Sequence, residues 1–189
     1  RDIGDFSRTS NGWLKADPKK TSEIRTRLQT NNYGKIIGIS WFTKSSQPLS
    51  KYRNVPIDQF IRYLEQIPAQ YVNLQYGLEA EMLETLNSTS SIELGNTHDV
   101  DLYNDIDGLA ALISACDVVI SVDNVTVHLA GALGIDTRVL LPIKADERWG
   151  LSRRDSYWYD NVTVYRQETH GNWVKPLKDL SGDLLSLSY

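Results

Sequence analysis

The sequence predicts an α/β domain in three layers, a parallel sheet covered by helices on both faces. Short apolar runs alternate five times with helical periodicities from residue 35 onward. The runs are apolar throughout rather than at every second position, as strands buried on both faces are; Asp117-Val118-Val119-Ile120-Ser121-Val122 is the cleanest. The length of 189 residues suits one domain, with right-handed crossovers joining the strands. In such a sheet ligands bind beyond the carboxyl ends of the strands, where the strand order reverses.

Residues 1–33 are polar and broken by Gly4, Gly12 and Pro18, and are expected to form a lead-in arm or a linker from a preceding domain. The domain proper is expected over 34–189. Within the arm, Asp17-Pro18 has the form of a cap followed by a first-turn proline, which predicts a helix over 19–29. A strand over 36–41 follows, then a polar loop to Val55. Pro56 opens a helix with Ile57, Phe60, Ile61, Leu64 and Ile67 at helical spacing. A strand is expected over 71–76, and a helix over 79–87 with Met82, Leu83 and Leu86 facing inward. A brief strand at 91–94 precedes a helix over 105–116 carrying Ile106, Leu109, Ala110, Ile113 and Cys116 on one side. The strand 117–122 leads through Asp123-Asn124 into a helix over 125–133, stopped by Gly134. Strands at 137–141 and 161–166 and a helix over 176–187 complete the chain.

Composition narrows the function classes. The net charge is −4 and the basic residues are scattered, which argues against a nucleic-acid module with its concentrated positive surface. A ligand with one or two phosphates stays compatible, since a few local donors hold it. Cys116 is the single cysteine, so no disulfide framework or cysteine-based metal site is expected, and a reducing cytoplasm is the expected location. Cys116 itself is expected in the core. No run approaches the ~20 apolar residues of a membrane helix, and no signal-peptide pattern opens the chain. The chain starts at Arg1 rather than methionine, as a fragment or a processed product does.

The strongest local signal for chemistry is Ser121-Val122-Asp123-Asn124-Val125-Thr126-Val127-His128-Leu129-Ala130. A buried strand ends at Asp123 and a helix begins with Asn124 at the N-cap position. The first turn of such a helix exposes unpaired amides and the positive end of the dipole, a geometry that binds phosphate. Thr126 adds a hydroxyl in that turn, and His128 stands one turn beyond Asn124, where it can donate to an anionic oxygen. From spacing alone, capping by Asp123 and Asn124 with a packed His128 explains the same residues.

The stretch resembles the Asp-Thr/Ser-x-x-x-His-Leu-Ala signature of the heptosyltransferase-like family 9 glycosyltransferases. It is most similar to the form found in bacterial proteins whose glycosyltransferase domain follows tetratricopeptide repeats. Gly12-Trp13-Leu14-Lys15-Ala16-Asp17-Pro18, Gly38-Ile39-Ser40-Trp41, Leu74-Gln75-Tyr76-Gly77, Asp107-Gly108-Leu109-Ala110-Ala111-Leu112-Ile113 and Asp117–Asp123 follow the same template in the same order. The resemblance implies a Rossmann-like three-layer αβα parallel sheet, the C-terminal half of a two-domain GT-B glycosyltransferase. It implies a nucleotide-diphosphate sugar as donor substrate, no metal, no other cofactor, and transfer to a glycan, lipid or protein acceptor. An N-terminal GT-B domain and tetratricopeptide repeats upstream are the implied partners, and the general base belongs to that N-terminal domain. The isolated chain is therefore expected to transfer little or no sugar.

By the same resemblance, Asp123, Asn124, Val125, Thr126 and His128 line the donor diphosphate. Asn124 departs from the usual Thr or Ser. Lys51 or Arg53, in the loop after the first strand, supplies a basic contact to the phosphates, with Lys44 less favoured; the planar fork of arginine suits phosphate. Glu79 stands where an acid meets the ribose, and Tyr103 is a candidate to stack on the base. Arg148 and Trp149 are expected at the rim of the cleft, and Trp158 is expected to pack. His98, Asp99 and Asp101 lie in one loop without a helical acid partner, so no metal site is expected there, and His170 is expected in a loop. A non-catalytic nucleotide-binding or scaffold module of the same fold is the rival expectation. A nucleotide-sugar epimerase lacks its carboxylates here, and a receiver domain lacks its acidic pair after the first strand.

Overall fold

A computed structural model describes residues 12–29, 34–44, 50–95, 97 and 99–186; the side chains of Ser50 and Lys51 lie outside that description. The strands are β1 (Ile36–Ser40), β2 (Gln70–Asn73), β3 (Leu94–Gly95), β4 (Val118–Val122), β5 (Asp136–Leu141) and β6 (Val162–Arg166). The helices are α1 (Pro18–Leu28), α2 (Ile57–Leu64), α3 (Ala80–Thr89), α4 (Ile106–Ser114), α5 (Val125–Leu133) and α6 (Val174–Ser186). Among the described residues the sheet has six strands in the order β3-β2-β1-β4-β5-β6, and every ladder is parallel. This is the Rossmann-like fold, with its reversal of strand order between β1 and β4.

Successive residues of β1 serve opposite faces, as the pleat requires. Ile37 and Ile39 join Phe60, Leu64, Tyr71 and Leu177 under α2 and α6. Ile36 joins Leu28, Leu109, Leu112 and Val119 under α1 and α4. Gly38 also faces the second layer, where a Cβ would press on Leu74 and lie 3.0 Å from Cys116 Sγ. The backbone of β1 can therefore sit this close to α4 only without a side chain.

Within the expected arm, α1 packs onto the rest of the fold. Ile24 and Leu28 of α1 belong to the core beneath α4. Lys20 reaches the Asp105 carboxylate at 2.9 Å, and Arg25 donates to Asp117 at 2.7 Å. Asp117 in turn accepts from the Ile36 amide at 2.8 Å, tying α1 to the starts of β1 and β4. The preceding chain is anchored too, since the Trp13 and Leu14 amides donate to the Ala132 carbonyl at the end of α5. Residues 1–11 and 30–33 of the expected arm lie outside the described residues.

Several sequence expectations are corrected in detail. β2 ends at Asn73 rather than Tyr76, because the Asn73 carboxamide takes the Gln75 amide at 2.9 Å and turns the chain. α2 ends at Leu64, and Ile67 packs from the turn before Pro68. β3 is shorter and later than expected, at Leu94–Gly95. Met82 and Ile106, expected inward, are exposed, as is Trp158, expected to pack.

Cys116 is buried, and burial first, then the charge of Asp117, pushes its thiol up to about 12, against Arg25 and a backbone hydrogen bond from Gly38. A thiol raised in the folded state adds stability that is complete below about 9 and is lost as pH rises toward about 12. Iodoacetamide at mildly alkaline pH should therefore leave the native chain unmodified and alkylate Cys116 only as urea unfolds it. Rapid labelling of native protein, read by mass, would contradict this.

Candidate functional site

The site is built where the strand order reverses. β1 and β4 leave the sheet side by side, with Ser40 paired to Ser121, and the chain then turns through Asp123-Asn124 into α5. Asn124 is the N-cap: its Oδ1 accepts from the Thr126 amide at 2.9 Å and from Ser121 Oγ at 3.0 Å. Its Nδ2 donates across to Ser40 Oγ at 2.8 Å and to the Phe42 carbonyl at 3.3 Å. Threonine or serine at this position would cap but would lack those two donations. On the far side, Gln75 Oε1 accepts from the Trp41 and Phe42 amides at 2.9 Å and from Ser40 Oγ at 3.1 Å. A single buried network thus fixes the exits of β1, β2 and β4 relative to one another.

Asp123 follows β4 with its side chain 5% exposed. Its carboxylate lies 3.6 Å from Arg53 Nη1 and 3.6 Å from His128 Nε2, and its carbonyl accepts from Arg53 at 3.4 Å. Burial opposes its ionisation, but His128, the Trp149 indole and the charges of Arg53 and His128 outweigh that and hold its pKa below the ordinary carboxylate range. The indole N–H of Trp149 is buried and meets no acceptor in full hydrogen-bonding geometry, so its help to Asp123 is electrostatic.

His128 stands one turn into α5. Its ring stacks on Trp149 with centroids 5.4 Å apart, its Nδ1 meets the Tyr159 hydroxyl at 3.2 Å, and its Nε2 lies 3.3 Å from Arg148 Nη1. Trp149 and Arg148 arrive on the 3₁₀ turn Glu147–Trp149 after β5, whose Asp146 cap accepts from the Arg148 amide. Asp146 also grips the guanidinium through Nε at 2.8 Å and Nη2 at 3.0 Å, which leaves Nη1 turned toward His128. Hydrogen bonds from Arg148 hold Asp146 down at about 2. Arg166, at the end of β6, secures the turn by donating to the Trp149 and Gly150 carbonyls.

The structure thus brings Arg53, Asp123, Asn124, His128, Arg148 and Trp149 together at the start of α5. Trp149, expected on a rim, is instead buried behind His128, and Arg148 alone of that pair is exposed. Thr126 is fully buried, and its hydroxyl has no partner, so it does not face the open edge as expected. Val125, the first helical residue, is exposed. Of the two basic candidates, Arg53 reaches Asp123; the Lys51 side chain lies outside the described residues. Sequence reasoning missed Tyr159, Asp146 and the Gln75–Ser40 network. Tyr159 follows Tyr157 and Trp158 directly in the sequence, and nothing in its spacing separates it from them.

Glu79 and Tyr103 sit apart from this group, on two hollows that adjoin at Gly77 along the same edge. One hollow, about 380 Å³, is floored by Trp41, Phe42, Ile57 and Met82, with Lys44 and Glu79 at its sides. The other, about 260 Å³, is lined by Asn73, Gln75 and Thr97 and flanked by Tyr103, which is 71% exposed and 6.1 Å from the Tyr76 ring. A larger hollow, about 990 Å³, opens at the opposite edge between Leu28, Pro68 and Glu93. Helices present their carbonyl ends there, which disfavours an anion. Asp99 pairs with Arg27 at 2.7 Å and Asp101 caps the Tyr103–Asn104 turn, while His98 lies outside the described residues. No helix among the described residues is long and apolar enough to cross a membrane.

No family model matches the chain. It is 28% identical over 163 residues to Protein FlbA of Caulobacter vibrioides, which covers 86% of this chain and 27% of that protein. Among solved structures it is similar to E. coli ADP-heptose LPS heptosyltransferase II, with TM-score 0.65 and 15% identity over 93% of this chain and 54% of that one. The glycosyl transferase family 9 structure from Veillonella parvula gives TM-score 0.64 and 14% identity over 94% of this chain and 55% of that one. E. coli heptosyltransferase WaaC with ADP gives TM-score 0.58 and 16% identity over 89% and 48%. The chain spans about a quarter of the curated relative and about half of each solved structure. The shared feature is the fold, the parallel Rossmann-like sheet of family 9 glycosyltransferase structures.

Proposed function

We propose that this chain is the donor-binding domain of a GT-B glycosyltransferase, holding the diphosphate of a nucleotide sugar at the start of α5. The observation that carries the proposal is the convergence of Arg53, His128 and Arg148 on an exposed helix N-terminus at the strand-order reversal. Each can donate to an oxygen of a diphosphate, and the dipole of α5 favours negative charge at the same point. In sugar transfer the departing diphosphate gains charge as the glycosidic bond breaks, and fixed donors stabilise that charge where it develops. The protein thus supplies a positive field without a metal. Asp123 is too deeply buried and too negative to serve as a phosphate ligand; its part is to hold Arg53 and His128 in place. The hollow beside Lys44 and Glu79 has the apolar floor and polar margin a nucleoside needs.

In this reading the chain is the C-terminal half of a longer cytoplasmic protein whose N-terminal domain, following tetratricopeptide repeats, carries the acceptor and the general base. One observation favours a second reading. All of the polar capacity of Asn124 is spent inside the fold, so the residue offers a ligand nothing beyond the helix amides. A module that binds nucleotide without turning it over, or serves as a scaffold, has the same geometry; sugar transfer by the chain joined to its upstream domain separates the two.

Calorimetric titration with ADP, UDP and GDP tests the donor site. At least one should bind with an enthalpy and an affinity that fall as salt rises, because the contacts are charged. Silence from all three would remove the proposal.

A further inference from the structure

Arg53 meets Asp123 only at the limit of contact, with Nη1 3.4 Å from the carbonyl and 3.6 Å from the carboxylate. Contacts of that length weaken steeply with displacement, so they depend on where the Ser50–Arg53 turn is held. Downstream of Arg53 the chain is tied to the exit of β1. The Val55 amide donates to the Trp41 carbonyl at 2.9 Å, and the Thr43 amide donates to Asn54 Oδ1 at 2.9 Å. Immediately before Arg53 the tie runs elsewhere. The Tyr52 ring meets the imidazole of His170, with centroids 4.6 Å apart and planes tilted by 59°. That lies within the tilted, offset geometry that aromatic pairs favour.

His170 belongs to the loop between β6 and α6, and that loop is built to present it. Gln167 is buried; its amide donates to the Leu141 carbonyl at 2.9 Å, and its Oε1 accepts from the Gly171 amide at 3.1 Å. Gly171 takes the left-handed conformation, with φ 74°, and the Asn172 amide donates back to the Thr169 carbonyl at 3.0 Å. Asn172 Oδ1 then accepts from the Val174 amide at the start of α6. These bonds close the chain around His170, whose ring stays at the surface. α6 packs beside α2, and each follows a strand of the parallel sheet, so both begin at its carboxyl edge. The Tyr52–His170 contact thus joins the chain entering α2 to the chain entering α6.

We propose that His170 is a positioning residue for Arg53: its ring braces Tyr52 and so fixes the turn from which the guanidinium reaches the end of β4. Asp123 holds the head of the arginine, and His170 holds its base. When a nucleoside diphosphate is bound, the same brace keeps the guanidinium on a phosphate oxygen, a consequence that rests on the donor-site reading above. Without the ring at 170 the turn shifts, and contacts already at their limit are lost.

His170→Ala and His170→Phe test this, since the second keeps a ring against Tyr52. The proton–nitrogen NOE of the Arg53 Nε–H, assigned with Arg53→Lys, reads the order of that side chain with or without nucleotide. The parent and His170→Phe should show an ordered Nε–H, and His170→Ala a mobile one. Affinity for whichever of ADP, UDP and GDP binds should fall by about 2- to 10-fold in His170→Ala, the worth of an aromatic pair. His170→Phe should stay within about twofold of the parent, as should His170→Ala relative to Arg53→Ala when the two are combined. An ordered Arg53 in His170→Ala overturns the inference even if nucleotide binds. So does an equal loss of affinity in His170→Phe, or an undiminished loss on top of Arg53→Ala. A mobile Arg53 with unchanged affinity overturns the functional half. A mobile Arg53 in His170→Ala with no nucleotide bound by the parent leaves His170 as the positioning residue and removes the donor site instead.

Discussion

Gln75→Leu should lower the free energy of unfolding by about 3–5 kcal/mol, the largest loss expected from any single substitution around the site. The side chain is 1% exposed, and its one oxygen accepts from Ser40 Oγ and from the Trp41 and Phe42 amides, while Nε2 donates to the Tyr76 carbonyl at 3.0 Å. Leucine fills the volume but leaves those donors facing hydrocarbon. An orphaned buried donor costs roughly 1–3 kcal/mol, and partial relief by water at Phe42 keeps the sum below the simple total. The midpoint of thermal unfolding should drop on the order of 10 °C. A midpoint in Gln75→Leu within a degree or two of the parent would show that the β1 exit is held by something else. Because Ser40 also receives the Asn124 carboxamide, the same substitution should loosen the start of α5.

That network marks the limit of what was legible beforehand. The layers and the parallel sheet followed from apolar runs, which register burial on both faces. Hydrophobicity carries on through Leu74, however, and hid the turn at Asn73. The turn is made by a carboxamide bonding the amide of Gln75, a local polar contact that leaves no periodic trace. The cap at Asn124 and the stop at Gly134 were legible because each rests on residue type at a helix end, and Gly134 does adopt the left-handed conformation, with φ 79°. The burial of Thr126 was open to derivation too. It stands two residues from His128, roughly 200° around a helix of 3.6 residues per turn, and so faces the sheet when His128 faces the edge. The reach of Arg53 to Asp123 was beyond derivation, since Arg53 lies on a short turn without a fixed phase. So was Tyr159, which meets His128 across 31 residues of sequence. Order and contact across the sheet come from tertiary packing, and one sequence does not state them.

Asp123→Ala should weaken nucleoside diphosphate binding by about 10-fold or more, although it removes a negative charge from the neighbourhood of an anion. Simple repulsion predicts the opposite sign, so the direction of the effect decides what Asp123 does. Its carboxylate is the point on which Arg53 and His128 converge, and without it the guanidinium is free to swing into solvent. Arg53→Ala should cost about 10- to 100-fold, since it deletes a charged donor outright. If Asp123 acts by holding Arg53, the two losses will not add, and the double variant should bind within about threefold of Arg53→Ala. Additive losses would mean that Asp123 touches the ligand itself, and tighter binding by Asp123→Ala would mean that it positions nothing. Stability carries an independent signature. The Asp123 pKa is depressed in the folded state, so its contribution is present above the unfolded carboxyl value of about 4 and is lost as pH falls below it. The stability gap between the parent and Asp123→Asn should therefore be widest near neutrality and close as acid protonates the carboxylate, as followed by urea unfolding at a series of pH values.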